Sequence, residues 1–144
     1  RQRQMGIRDR CWGVAERPYP EPDPETRHFW DAVAAGRLDI QRCRACGQHV
    51  FYPRGAVCLH CGGLGLDWVR ASGRGTVHSF TVVHRAPAEF ASEAPYVVAL
   101  IDLEEGPRMM SRLLDVEPAA VAVGMAVELS ISGDPPLPYF TRRT

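Results

Sequence analysis

Cys43, Cys46, Cys58 and Cys61 form two C-x₂-C pairs separated by eleven residues. Two residues between cysteines let a tight turn aim both sulfurs at one point. Two such turns face to face give four thiolates in a tetrahedron, the closed coordination zinc takes at structural sites. Glycine follows each pair, as Gly47 and as Gly62-Gly63, where a turn commonly requires positive φ. The spacing predicts a zinc ribbon. Iron can take the same thiolates, so zinc over iron is a preference of this reading. Either ion in a Cys₄ site lacks an open position, so the site builds structure, on the order of 10 kcal/mol of folding free energy, and does not catalyse. Disulfides would need an oxidising compartment; the charged start Arg1-Gln2-Arg3-Gln4 is unlike a signal peptide, which makes the cytoplasm the expected location. Cys11 stands apart and is expected to be a free thiol in an arm.

The other chemistry-bearing residues are less organised. All 17 Lys-plus-Arg positions are arginine, and the chain has no lysine. Without lysine there is no Schiff base, which removes one route to carbon–carbon cleavage. Arginine suits bidentate recognition of phosphate or carboxylate. His78 and His84 lie on one predicted strand, on one face by period-two alternation, with Glu89, Glu93 and Asp102 close in sequence. A general-base pair could be drawn from these, yet no nucleophile motif accompanies them. His60, between the second-pair cysteines, is expected to face solvent or bond a sulfur, and His49 has no assigned role. Formal net charge is zero, against the basic surface that nucleic-acid binding rests on. No apolar run approaches the roughly 20 residues of a membrane span.

These groups must be held by the surrounding elements. Residues 1–22, with Pro18, Pro20 and Pro22 alternating, predict an extended arm or linker lying on a surface. The lack of an initiating methionine fits a piece of a longer polypeptide. Residues 23–37 predict a helix of about three turns, capped by Asp23, with Pro24 in its first turn and Gly36 as its stop. Phe29 and Trp30 on it either cover the chain's own core or dock on another protein. Residues 38–69 form the predicted ribbon: a strand from Leu38 to Arg42, a return through Val50, Phe51 and Tyr52, and an exit through Trp68 and Val69. Residues 70–144 predict five short strands: Gly75 to Arg85, Tyr96 to Leu103, Arg108 to Leu114 after a Gly106-Pro107 turn, Met125 to Ile131, and one including Tyr139 and Phe140. On the first of these, Val77, Ser79 and Thr81 are expected to share a face. The loop Ala86 to Pro95 is longer than a hairpin needs, and Gly133 to Pro138 is expected to be a stiff tail poor at closing a ladder. The fold class is mainly β: an N-terminal helix, a rubredoxin-like zinc ribbon and a small five-stranded OB-like barrel with a C-terminal tail.

Several stretches together resemble the domain of unknown function 35 family: Phe29-Trp30, the run from Leu38 to Gly47 (Leu-Asp-Ile-Gln-Arg-Cys-Arg-Ala-Cys-Gly), Tyr52-Pro53-Arg54, Cys58-Leu59-His60-Cys61, Gly73 to Val77, and Val123 to Val127. They span residues 23–140. The resemblance implies a small acyl-CoA-associated protein of the kind that accompanies thiolase-fold enzymes, including lipid-transfer-protein-type aldolases of steroid side-chain breakdown. Some such domains are fused to a MaoC-like enoyl-CoA hydratase.

The leading functional expectation is a non-catalytic partner subunit of a thiolase-fold enzyme acting on CoA thioesters. A second is an acyl-CoA binding or delivery module, with Arg54, Arg74 and Arg85 as candidate CoA-phosphate ligands. A single-stranded nucleic-acid binder would need stacking aromatics among basic residues, and only Phe80 sits mid-strand in the early barrel.

Overall fold

A computed structural model describes residues 17–53 and 55–144; the arm before Arg17, with Cys11, and the phosphate candidate Arg54 lie outside the described residues. Asp23 starts the first helix. Its carbonyl accepts the Arg27 N–H at 2.9 Å, and its Oδ1 accepts the N–H groups of Glu25 and Thr26 at 3.0 and 2.8 Å. Thr26 Oγ1 reciprocates by accepting the Asp23 N–H at 3.1 Å, a capping box with threonine in the place of glutamate. The hydrogen bonds from Thr26 hold the Asp23 carboxyl below its ordinary value. The helix proper, α1, is Arg27–Ala34, about two turns rather than three, because residues 24–26 form only the leading turn. It stops at Gly36 (φ +78°), where the N–H groups of Gly36 and Arg37 bond the carbonyls of Val33 and Ala32, both at 2.9 Å.

The ribbon is a three-stranded antiparallel sheet in the order β2-β1-β3, built from β1 (Asp39–Cys43), β2 (His49–Val50) and β3 (Leu66–Arg70). The expected return strand stops at Val50. Phe51 and Tyr52 leave the ladder and pack their rings on Phe29, at centroid distances of 5.8 and 5.7 Å.

The barrel closes in the order β4-β5-β6-β8-β7, from β4 (Arg74–Val83), β5 (Tyr96–Leu103), β6 (Arg108–Leu113), β7 (Ala126–Ser132) and β8 (Leu137–Arg142). Two expectations are corrected here. First, a bulge between Val77 and Ser79 shifts the register of β4 against β5. Val77 is buried, but beyond the bulge it is Phe80 and Val82 that pack on the core, not Ser79 and Thr81. The shared histidine face does not form either: His78 is exposed on β4, and His84 lies past its end at Val83. Second, residues 133–136 are a turn, and Leu137 and Pro138 already pair with Ser132 and Ile131. The tail makes β8, which meets β6 at Leu113 and Phe140 and closes the barrel.

Phe29, Val33, Leu38 and Ile40 share one core with Val77, Val97, Ile101, Leu103, Val127 and Phe140, so helix, ribbon and barrel bury a common apolar centre. Cys43, Val50 and Cys58 form a separate small cluster under the ribbon. The strand crossing is tightest at Gly75, where a Cβ would lie 2.6 Å from the Asp102 carbonyl oxygen and 2.7 Å from Ile101 Cγ2. Gly75→Ala is expected to cost about 1–3 kcal/mol, the range of an overpacked core, read as a lowered urea midpoint at unchanged slope.

Candidate metal centre and the surfaces around it

β1 delivers Cys43 to the metal site, and two knuckles of the same construction shape the rest. In the first, the Gly47 N–H bonds the Cys43 carbonyl and the Cys43 N–H bonds the Gln48 carbonyl, both at 2.9 Å. In the second, the Gly62 N–H bonds the Cys58 carbonyl and the Cys58 N–H bonds the Gly63 carbonyl, again at 2.9 Å. Gly47 and Gly62 take φ of +72° and +70°, the left-handed turn expected after each pair.

The four Sγ atoms lie within 4.8 Å of one another, with Cys43–Cys61 and Cys46–Cys58 both at 3.7 Å. A tetrahedron of thiolates about 2.3 Å from a central zinc has edges of about 3.8 Å, so the sulfurs fit an ion and are far too separated for disulfides. The His60 and Gly63 N–H groups point at Cys58 Sγ and Cys61 Sγ, at 3.4 and 3.3 Å. Such donors favour the thiolate form. Gly63 also leaves the room a sulfur needs, since a Cβ there would meet Cys61 Sγ at 3.1 Å. Cys43 and Cys46 are shifted in opposite directions. The Cys46 N–H leads in pulling Cys43 down to about 7. At Cys46 the Gln48 N–H likewise pulls down, but lost hydration and hydrogen bonds with the other sulfurs outweigh it and push the thiol up to about 12. A cation at the centre relieves that conflict. Cys43 and Cys58 are buried and Cys46 and Cys61 exposed, so the site sits at the molecular margin. The His60 ring lies 3.3 Å from the His49 carbonyl and bonds no sulfur.

The remaining candidates do not converge. Phe29, 1% exposed, sits in the chain's own core. Trp30 is half-buried and lines a cavity of about 260 Å³ with Pro20, Pro22, Pro135 and Pro136. Arg74 pairs with Glu104 at 3.2 Å, while Arg85 is exposed past the other end of β4. At roughly 3.3 Å per residue these two stand on the order of 30 Å apart and cannot grip one phosphate. His78 and Arg108 share Asp102, at 3.2 and 2.6 Å, an exposed group in which Arg108 chiefly holds the Asp102 carboxyl low. Glu93 is taken by Arg17 and Arg112. Of the acid–base set drawn from the sequence, His78 and Asp102 fall in one ion-pair group and Glu93 in another. Sequence reasoning missed Arg17 and Arg112, because no local pattern links residues 76 and 19 positions from Glu93.

Comparison with known proteins places this architecture. Residues 30–67 match the rubredoxin-like zinc ribbon domain of ChsH2 and residues 68–132 its C-terminal OB-fold domain. A DUF35 domain-containing scaffold protein of Methanothermobacter thermautotrophicus is 39% identical over 107 residues, 73% of this chain and 80% of its own length. A probable enoyl-CoA hydratase alpha subunit of Thermomonospora curvata is 40% identical over 124 residues, covering 85% of this chain. The 3-oxo-4,17-pregnadiene-20-carboxyl-CoA hydratase alpha subunit of Mycobacterium tuberculosis is 44% identical over 108 residues, 75% of this chain. The chain spans only 38% and 34% of the lengths of those two hydratase subunits. Among solved structures, a chain of the Ltp2-ChsH2(DUF35) aldolase superposes with a TM-score of 0.76 at 38% identity, over 86% of this chain and 98% of that one. Ribbon, barrel and relatives agree, and the chain belongs to the DUF35 family of ChsH2-type proteins, a rubredoxin-like zinc ribbon followed by an OB-fold.

Proposed function

We propose that this chain is a non-catalytic partner of a thiolase-fold aldolase acting on acyl-CoA thioesters in the cytoplasm, with a structural zinc in its Cys₄ site. The superposition on nearly the whole of a chain from the Ltp2-ChsH2(DUF35) aldolase carries this reading. Three features of the chain support it. Its one metal centre among the described residues is closed by four sulfurs. Of its candidate acid–base residues, His78 and Asp102 are tied up in one ion-pair group and Glu93 in a separate one. It has no lysine for a Schiff base. The reaction itself, a retro-aldol cleavage in steroid side-chain degradation, belongs to the partner. The hydratase names among the relatives support a fused or associated MaoC-like hydratase. The chain's part is to complete the complex and hold the substrate channel in its working shape.

Co-expression with a thiolase-fold aldolase from the same genome tests this. The expected result is a complex that co-elutes on gel filtration, and aldolase activity that falls at least tenfold when this chain is withheld. Separate elution with undiminished activity would sink the idea. The second reading, a stand-alone acyl-CoA carrier, is weakened by the separation of Arg74 and Arg85.

A further inference from the structure

We infer that the OB barrel carries a socket for an arginine-bearing extended segment, and that the chain fills this socket with its own arm at Arg17. OB barrels bind ligands at the loops joining their first and second and their fourth and fifth strands. In this barrel those are loop 84–95, between β4 and β5, and turn 133–136, between β7 and β8. The arm lies on both. Arg17 Nη1 donates to Glu93 Oε1 at 3.1 Å and Nη2 donates to the Tyr139 hydroxyl at 2.9 Å. Its guanidinium lies 5.0 Å from the centre of the Phe90 ring. Two residues on, the Tyr19 hydroxyl donates to the Asp134 carbonyl at 3.2 Å.

The socket is built from the barrel side. Arg112, on β6, pairs with the other oxygen of Glu93 and stands 4.3 Å over the Tyr96 ring, so the carboxylate is held in place by one arginine and presented to a second. Arg17 thus meets a fixed acceptor, a hydroxyl and an aromatic face at once. That combination suits a planar guanidinium and would not hold a lysine equally well. The alternating prolines keep the arm extended, which cuts the ordering cost of laying it down. With Arg112 already paired to Glu93, the barrel side of the socket is formally neutral and presents one carboxylate oxygen to a second guanidinium. An arginine-bearing, proline-spaced segment is the occupant it fits.

Because the arm is tethered, its effective concentration at the socket is on the order of millimolar. A peptide of the same sequence in trans therefore competes only weakly while the arm is seated. Arg17→Ala removes the key and leaves Glu93 paired with Arg112, so the fold is preserved. The test compares wild type, Arg17→Ala and Glu93→Ala in the full chain, with a fluorescent peptide of residues 14–23 as the probe and NMR of the Tyr19 and Glu21 amides as the second readout. Expected are rigid Tyr19 and Glu21 amides in wild type and mobile ones in both variants. Peptide binding to Arg17→Ala is expected to be roughly tenfold tighter than to wild type, and to be lost in Glu93→Ala. Equal peptide binding by all three chains, or an arm equally rigid without Arg17, would overturn the proposal.

Discussion

Stripping the metal with a strong chelator is expected to unfold the knuckle end of the ribbon, residues 43–66, while β4–β8 keep their sheet. Ile40, Trp68 and Val69 tie the other end of the ribbon to the shared core, but the knuckle end has little else to hold it. Its own cluster contains Cys43, Val50 and Cys58, with Leu66 packed against them, and two of those four are ligands. β2 adds only two paired positions. A structural zinc contributes about 10–16 kcal/mol to a small ribbon at neutral pH, as much as the whole stability of an ordinary domain. Apolar burial of this size does not replace it. The barrel differs, since Val77, Val97, Ile101, Leu103, Val127 and Phe140 are all at most 3% exposed within its own strands. The measurement is an amide NMR spectrum before and after chelation, with metal counted by mass spectrometry. One metal per chain and a selective loss of ribbon signals are expected. Cys58→Ser should reproduce the loss, and Cys11→Ser should leave the metal in place. A ribbon unchanged after complete metal removal would refute the structural role, and bound iron would refute zinc. Acid works in the same direction as the chelator. Thiolates bind the metal and thiols do not, so each proton added competes for a ligand and retention weakens as pH falls.

What could be read from the sequence was local chemistry. The C-x₂-C pairs, the Asp23 cap, the Gly36 stop and the Gly106-Pro107 turn each depend on residues within a few positions, and each is found. β5, an apolar run, matches its expected bounds at both ends. The errors came from closing the barrel. Nothing in Val77-His78-Ser79 announces a bulge, because the extra residue is demanded by how β4 must meet β5 on one side and β7 on the other. Pro135, Pro136 and Pro138 read as breakers. Pro138 is tolerated because β8 meets β6 at a single register position, where few ladder donors are required of it. The contacts of Glu93 with Arg17 and Arg112 leave no trace in any window of sequence. The metal site was legible and the surface networks were not, for the same reason: ligand spacing is local, and ion-pair partners are chosen by the fold.

Phe29→Ala is expected to destabilise the chain by about 3–5 kcal/mol, the cost of deleting a large aromatic from a core. Phe29 is 1% exposed and touches three elements of the structure at once. It meets Trp30 edge-on at 5.0 Å within α1, and it contacts Phe51 and Tyr52 where the chain leaves β2. Through the shared core it also joins Ile40 of the ribbon to the barrel strands. Truncation therefore leaves a cavity at the junction of helix, ribbon and barrel, which none of them can close by moving alone. Chemical denaturation measures the loss, and Phe29→Leu should recover much of it. Metal content should stay at one per chain, since no ligand cysteine belongs to that core. Trp30→Ala supplies the contrast. Its half-buried ring should cost less stability and, if it is the aromatic that meets the aldolase, should weaken the complex more. A Phe29→Ala chain of wild-type stability that no longer binds the partner would reverse the assignment and make Phe29 the anchor.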